Sequence, residues 1–477
     1  MDKHKGNVMA KQQFGIVGLG VMGQNLALNL ASRGFSVAGF DLEQKQAEIF
    51  AAKTAGKKIT TCRTQVEFLD QLEQPRRMLI MVPAGPPVDA VIATLRPRLN
   101  RGDLLIDGGN TWFRDTVRRI GELEGSGVLY IGTGISGGEE GALLGPSIMP
   151  GGNPEAWPLA RPILQAMAAK AEDGEPCCDW IGPGGAGHFV KMVHNGIEYA
   201  DMQMISEAFW LMQRLLGLAP GEASRIFAAW NDGELGSYLV GITATILAKQ
   251  DPETGKPLVD LILDTAEQKG TGKWTAQVSF DVGAAVPTLA DAVYARTLSA
   301  LKRERVAASA VLAGPAPAFA GDPAAFVESI RKALYCSKIC AYAQGFQLLR
   351  AADQDNGWGL RLGAISSLWR AGCIIRAQFL GKIKEAYAHT PSLANLLLDG
   401  YFASVTASYQ QAWRHVVAVA AENGVPVPAF MSALAYYDGY RSARLPANLL
   451  QAQRDFFGAH TYRRVDKEGT FHTEWKA

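Results

Sequence analysis

Cysteine is scarce in this 477-residue chain, which has six: Cys62, Cys177, Cys178, Cys336, Cys340 and Cys373. No two form a Cys-x-x-Cys pair, and Cys336 and Cys340 sit in an apolar helical pattern without a nearby histidine. That usage predicts buried, reduced thiols of a cytoplasmic protein, and no metal centre. Excess charge is lacking too. Lys+Arg number 47 against Asp+Glu 46, a formal net charge of +1. A near-neutral chain with its basic residues spread out argues against a nucleic-acid partner, so any anion site must be a local cluster. No run approaches the roughly 18 apolar residues that span a bilayer, so no membrane partner is expected. The opening Met-Asp-Lys-His-Lys-Gly-Asn has charges and no apolar core before Phe14, unlike a secretory signal. No repeat recurs at a fixed spacing.

What is present is apolar material, 48% of the residues, enough for two or three domains. Phe14 to Leu19 reads as a buried strand that runs into Gly18-Leu19-Gly20-Val21-Met22-Gly23 and then an apolar-periodic helix. This is G-x-G-x-x-G between strand and helix. Gly18 permits the tight turn, Gly20 admits a pyrophosphate to the backbone, and Gly23 lets helix and strand pack closely. The helix start offers amide donors and partial positive charge. A second strand, Ser36 to Phe40, ends on Asp41, 18 residues after Gly23, where an acid accepts ribose hydroxyls. Further strands are expected at Met78–Val82, Leu104–Asp107 and Val128–Gly132, each ending in glycines and small polar residues. Alternating strands and helices imply a parallel sheet whose carboxyl edge holds ligands. Along that edge Val82, Ala84 and Asn110 join the glycine loop, Asp41, Leu42 and Glu43 as expected coenzyme contacts. A second match, Gly182-Pro183-Gly184-Gly185-Ala186-Gly187, has little strand before it and no acid-ended strand after it. It reads as the break between domains.

From Ala186 onward strand signals nearly vanish, and helices are expected over Phe189–Leu216, Asp291–Leu312, Pro323–Arg350 and Ala403–Asn423. The fold class is therefore an α/β Rossmann-type dinucleotide-binding domain (1–184), a large all-α domain (185–444) and a polar C-terminal tail (445–477) that lies along another subunit. On the first long helix, Lys191, His194, Asn195, Glu198 and Tyr199 share one face at i, i+3, i+4, i+7 and i+8. Apolar residues cover the other sides. Such a stripe is either a solvated charge pattern or a catalytic bed carrying a base and an acid.

The motifs Gly18–Asn25, Asp107–Asn110, Ser136-Gly137-Gly138-Glu139-Glu140-Gly141, Gly187–Gly196, Gln268–Trp274, Leu445–Asn448, Gln451–Asp455 and Gly458–Tyr462 together resemble the long, two-domain type of decarboxylating 6-phosphogluconate dehydrogenase, over essentially the whole chain. The resemblance implies oxidation of 6-phosphogluconate at C3, loss of CO2 and release of ribulose 5-phosphate. It implies Lys191 as base and Glu198 as acid. Asn110, Ser136, Gly137, Gly138, His194 and Asn195 match contacts to the carboxylate and hydroxyls. Tyr199, Lys269, Thr271 and Arg296 match phosphate contacts. Arg454 and His460 match residues that enter the site from the partner of a homodimer. Taken singly, Lys269 could be a solvated loop lysine, Arg296 a surface pair with Asp291 or Glu304, and His460 an ordinary surface histidine.

The chain departs from the family where Asn-Arg-Thr usually follows the second strand and contacts the 2′-phosphate of NADP. Asp41-Leu42-Glu43 stands there instead, and Pro83 replaces a usual lysine. That argues for NAD, or for dual use with NADP if Lys45 bends back. Two alternatives compete: a β-hydroxyacid dehydrogenase that does not decarboxylate, and a non-catalytic dinucleotide-binding relative. The first lacks the long helical region and the Arg454/His460 tail. The second predicts damage to the Lys191–Glu198 pair, and both residues are present.

Overall fold

The computed structural model describes residues 10–268 and 270–476. Eight strands form one sheet: β1 (Phe14–Val17), β2 (Val37–Phe40), β3 (Ile59–Cys62), β4 (Arg77–Ile80), β5 (Leu104–Asp107), β6 (Leu129–Ser136), β7 (Ser147–Gly152) and β8 (Gly182–Pro183). Their order is β3-β2-β1-β4-β5-β6-β7-β8. The first six are parallel, β7 runs antiparallel to β6, and β8 is parallel to β7. The order reverses between β1 and β4, the switch point where a dinucleotide fold holds its ligand. Helices cover both faces: α1 (Val21–Ser32), α2 (Gln44–Lys53), α3 (Gln65–Gln71), α4 (Pro86–Leu95), α5 (Phe113–Leu123), α6 (Gly138–Leu144) and α7 (Trp157–Met167). Each face buries its own apolar cluster, one around Leu26, Leu30 and Ile106, the other around Phe68, Val88 and Leu105.

After the sheet come α8 (Ala186–Leu216), α9 (Pro220–Asn231), α10 (Tyr238–Ala248), α11 (Thr271–Asp281), α12 (Pro287–Ala300) and α13 (Lys302–Ser309). Then follow α14 (Pro323–Asn356), α15 (Leu362–Leu368), α16 (Leu380–His389), α17 (Gly400–Glu422), α18 (Pro428–Tyr440) and α19 (Ala447–Gly458). The two longest are bounded by local chemistry. Asp322 caps α14 by accepting the Ala324 amide, Pro323 starts it, and left-handed Gly357 ends it. Left-handed Gly217 ends α8. These two helices pack on each other at the centre of the largest core. There Lys338 of α14 donates to both oxygens of Asp201 of α8 at 2.6 Å, with both residues fully buried. Among the described residues no helix is long and apolar enough to cross a membrane.

Strands β3, β7 and β8 were not expected from sequence. β7 holds a proline and two glycines, a poor strand signature, and is recruited by a six-residue pairing with β6. The expected helix Asp291–Leu312 is two helices broken at Leu301. There the Arg305 guanidinium donates to the Ser299 carbonyl and to Asp264, ending α12 without a glycine or proline. Gly182–Pro183 forms the two-residue edge strand and Gly185 precedes α8, so the second glycine pattern does link sheet to helices. All six cysteines are buried free thiols.

The start of α8 lies directly on the sheet. A Cβ on Gly187 would collide with the Gly132 carbonyl and come within 2.5 Å of Met149 O and 2.6 Å of Gly151 N, all backbone. A Cβ on Gly134 would strike the Lys191 side chain, and one on Gly132 would reach His188 and Thr116 at 2.6 Å. Helix propensity alone favours alanine over glycine by about 1 kcal/mol. We therefore expect Gly221→Ala in α9, where a Cβ meets nothing, to be neutral or slightly stabilising. Gly187→Ala should instead lose about 1–3 kcal/mol from overpacking, read as a fall in Tm. An equal or higher Tm for Gly187→Ala would contradict this close packing.

Candidate active site

The site is built where α8 crosses the carboxyl edge of the sheet. Lys191, His194, Asn195 and Tyr199 are buried and Glu198 is half-buried, so the stripe is not a solvated face. Lys191 Nζ donates to Asn195 Oδ1 at 2.9 Å and lies 3.4 Å from His194 Nδ1. Asn195 Nδ2 donates to Thr271 Oγ1 at 2.9 Å, tying α8 to the first residue of α11. His194 Nε2 sits 3.1 Å from Ser136 Oγ and 2.8 Å from Cys373 Sγ, and its Nδ1 is 3.7 Å from Glu198. Ser136 Oγ also accepts the Ile374 amide at 3.3 Å. Gly137 and Gly138 turn with left-handed φ of 129° and 63°, and a Cβ on Gly137 would meet the Gly372 carbonyl at 2.7 Å.

Burial dominates the electrostatics. It lowers the Lys191 amine below the ordinary lysine range, against the opposing pull of Glu198. It lowers His194 well below its usual value, with Lys191 adding to the effect, so the imidazole is neutral. It raises the Glu198 carboxyl, only partly offset by Lys191 and Arg296. An amine that gives up its proton easily and a carboxyl that keeps one thus lie a turn or two apart on one face.

Arg296 of α12 stacks its guanidinium 3.5 Å from the centre of the Tyr199 ring and donates to the Glu267 carbonyl at 3.1 Å. It is not paired with Asp291 or Glu304 among the described residues. Tyr199 in turn packs against Gly272, where a Cβ would collide with its ring. Tyr199, Thr271 and Arg296 are therefore gathered at one end of the stripe. Lys269 lies outside the described residues.

The dinucleotide end fits its fingerprint. Gly18 has a φ of 96° and a Cβ there would fall 2.5 Å from Met81 O; a Cβ on Gly20 meets nothing. Gly20 precedes α1 with no side-chain cap, which leaves the first amides of that helix, from Val21 and Met22 on, free for phosphate. A small cleft of about 90 Å³ beside the loop is lined by Gly18, Asp41, Leu42, Gln65, Val82 and Val91. Asp41 Oδ2 accepts the Leu19 amide at 2.6 Å and its Oδ1 the Glu43 amide at 2.8 Å, which fixes the carboxylate against the loop. Leu42 and Lys45 are exposed. Asn110 is exposed on the loop after β5, and Ala84 lies on the loop after β4. A larger cavity of about 890 Å³ lies elsewhere, and three of the cations lining it are paired: Arg361 with Asp179, and Arg370 and Lys384 with Glu175.

Two groups escaped sequence reasoning. Cys373 enters the site from a loop 179 residues away from His194, and no local pattern marks it. A buried network also supports both coenzyme loops. Asp107 accepts from the Gly109 amide, Thr111, Arg119 and the Tyr130 hydroxyl, while Arg119 also holds Asp89 and the Gly85 carbonyl. The arginine on the helical face of α5 gave a signal only as a charge at an otherwise apolar position. The expected tail residues Arg454 and His460 are not brought to this site within one chain. Their hydrogen bonds among the described residues stay inside the tail.

A glycine cradle, a fixed acid at the end of β2 and a buried amine at the domain junction define a nicotinamide-dinucleotide-dependent dehydrogenase with a helical substrate domain. The profile of the NAD binding domain of 6-phosphogluconate dehydrogenase matches residues 13–182, and that of the 6-phosphogluconate dehydrogenase C-terminal domain matches 187–475. The chain belongs to the 6-phosphogluconate dehydrogenase family. It is 57% identical over 468 residues to the NADP(+)-dependent, decarboxylating 6-phosphogluconate dehydrogenase of Bacillus subtilis, covering 98% of this chain and 100% of the relative. It is equally 57% identical over 467 residues to the decarboxylating enzyme of Escherichia coli K12, with the same coverage. The solved 6-phosphogluconate dehydrogenase of Plasmodium falciparum superposes with a TM-score of 0.92 at 42% identity, covering 97% of this chain and 100% of that one.

Removing Arg119 leaves Asp107 buried without its cation. Arg119→Met should cost about 3–5 kcal/mol in urea unfolding and raise the coenzyme KM. A variant that unfolds like the parent would show the network to be dispensable.

Proposed function

We propose that this chain oxidises 6-phosphogluconate at C3, releases CO2 and forms ribulose 5-phosphate while reducing a nicotinamide dinucleotide. The observation that carries the reading is the buried Lys191 amine, held by Asn195 on the same helical face as Glu198, in a chain of this family at 57% identity over its full length. With a dinucleotide's pyrophosphate held at the Gly18–Gly23 cradle, its nicotinamide ring would supply the hydride acceptor. Lys191, whose amine burial makes easier to deprotonate, takes the C3 hydroxyl proton in its neutral form. Protonated Lys191 then stabilises the negative charge that CO2 loss pushes onto the C3 oxygen. Glu198, whose carboxyl burial makes readier to hold a proton, delivers one to C1 of the enediol product. Asn195 orients the amine, and Ser136, Gly137, Gly138, His194 and Asn110 hold the carboxylate and hydroxyls. Tyr199, Thr271, Arg296 and Lys269 hold the phosphate.

The working units are a coenzyme domain (1–184), a substrate and dimerisation domain (185–444) and a tail (445–477). Two copies pair in the cytoplasm, and the tail brings Arg454 and His460 to the site of the other copy. In support, α19 leaves Leu449, Leu450, Phe456 and Phe457 exposed within a single chain.

The coenzyme reading is NAD preference or dual use. Asp41 sets a fixed carboxylate beside the adenosine ribose, where a 2′-phosphate would meet like charge. The Bacillus subtilis relative is named NADP(+)-dependent, so this chain would differ from it. Incubation with 6-phosphogluconate and each coenzyme tests both statements. We expect reduced coenzyme to appear with one equivalent of CO2, and kcat/KM to be at least as high with NAD. No reduction with either coenzyme overturns the activity. Reduction without CO2 favours a non-decarboxylating β-hydroxyacid dehydrogenase. A kcat/KM more than about tenfold higher with NADP overturns the coenzyme preference, since a fixed carboxylate beside the ribose disfavours the 2′-phosphate.

The acid–base roles have opposite signs in pH. Neutral Lys191 is required, so kcat/KM climbs as pH rises through its lowered pKa. Protonated Glu198 is required, so kcat/KM falls as pH rises through its raised pKa. Lys191→Arg and Glu198→Gln should each cut kcat by about 10²–10⁴. Glu198→Gln should also lose the falling limb. Retention of near-parent kcat by either variant would remove that residue from the chemistry.

A further inference from the structure

The C-terminal tail folds around a single carboxylate. Asp455, in the last turn of α19, is fully buried although the helix around it is largely exposed. Its Oδ1 accepts the Thr461 amide and His472 Nδ1–H, both at 2.9 Å. Its Oδ2 accepts the Thr473 amide at 3.1 Å and the Trp475 indole N–H at 2.9 Å. Its own carbonyl accepts the Ala459 amide at 2.9 Å. A paired bridge between Tyr462 and Phe471 closes the loop. Among the described residues only two non-glycine residues have positive φ, Ala459 at 48° and Thr461 at 60°. They flank His460 on either side. Such conformations persist where the surroundings over-determine them, and they gather at functional positions. Here the over-determination comes from Asp455, whose backbone holds Ala459 and whose side chain holds Thr461.

We propose that Asp455 is a positioning residue for the reaction: it clamps the Ala459–Thr461 turn so that His460 is presented in a fixed geometry to the substrate of a second copy. This rests on the reading above that the tail completes the other copy's site. The neighbouring Arg454 leaves the same helical turn on an exposed side and, among the described residues, bonds only Gln451. The clamped turn thus carries His460, while Arg454 stays on the regular helix beside it. Its ionised state suits the role. Burial works to raise the Asp455 carboxyl, but the four donors outweigh it and hold it at about 2, while the carboxylate raises His472. A merely structural carboxylate would need no strained turn centred on His460, and this turn is where the tail departs from ordinary backbone.

The test uses the full-length chain. His460→Ala and Arg454→Ala first establish whether the tail reaches the substrate: if neither raises KM for 6-phosphogluconate, the shared-site reading fails independently of Asp455. Given that rise, Asp455→Asn should remain dimeric by sedimentation and keep its coenzyme KM within about twofold. Its KM for 6-phosphogluconate should rise about tenfold or more with a smaller change in kcat, as expected when a contact is misplaced rather than removed. Because Asp455 acts through His460, the Asp455→Asn/His460→Ala double variant should be no worse than His460→Ala alone. Trp475→Phe removes one donor and leaves the carboxylate, so it should raise the same KM by a smaller factor. It carries the test if Asp455→Asn proves monomeric. An unchanged substrate KM in a dimeric Asp455→Asn or Trp475→Phe protein, or additive losses in the double variant, overturns the proposal.

Discussion

Everything in this chain that reaches chemistry depends on how closely the first turns of α8 approach β6 and β7. Side chains ordinarily hold a helix about 10 Å from the structure beneath it. Here Gly132, Gly134, Gly151 and Gly187 remove side chains at the crossing, and backbone meets backbone. Lys191 emerges from that contact with its stem over Gly134 and its amine on Asn195. The same glycines that let two domains touch thereby strip water from the amine. Its altered acidity follows from packing, since burial is the largest cause and the neighbouring Glu198 pulls the other way.

The ionisable groups on this face drift toward neutrality together. Lys191 and His194 lose affinity for protons, Glu198 gains it, and burial pushes the Cys373 thiol up to about 11. Groups shifted in that direction leave fewer buried counter-charges for an anionic ligand to displace. Asp201, one turn beyond Glu198, would push the latter's carboxyl further up; its full pairing with Lys338 sets that charge against a cation. A buried ion pair and buried groups without such pairing thus follow one another along one helix.

Much of this was legible in the sequence because it is local. The Gly18–Gly23 cradle, the acid after β2 and the five-residue stripe on α8 are patterns within a single strand, turn or helix, and spacing alone specifies them. What was not legible depends on distant partners. β7 is a strand because β6 offers it a ladder, despite Pro150, Gly151 and Gly152. Cys373 joins His194 through a loop after α15 that carries no motif. The break at Leu301 comes from Arg305 reaching back to Ser299 and across to Asp264. Arg454 and His460 were recognisable only through family motifs, because one chain does not fold them onto the site.

The tail arrives at any partner already shaped. Ordering a residue's backbone costs about 1–2 kcal/mol of conformational entropy, and the loop from Ala459 to Trp475 has met that cost within its own chain through Asp455. Association then has to fix few internal degrees of freedom and resembles the docking of a rigid peg rather than the folding of a strand. The apolar side chains of α19 are exposed in the single chain, so in the proposed dimer the free energy of their burial would be released at the moment of pairing. Activity per chain would accordingly follow total chain concentration, falling on dilution while each chain stays folded.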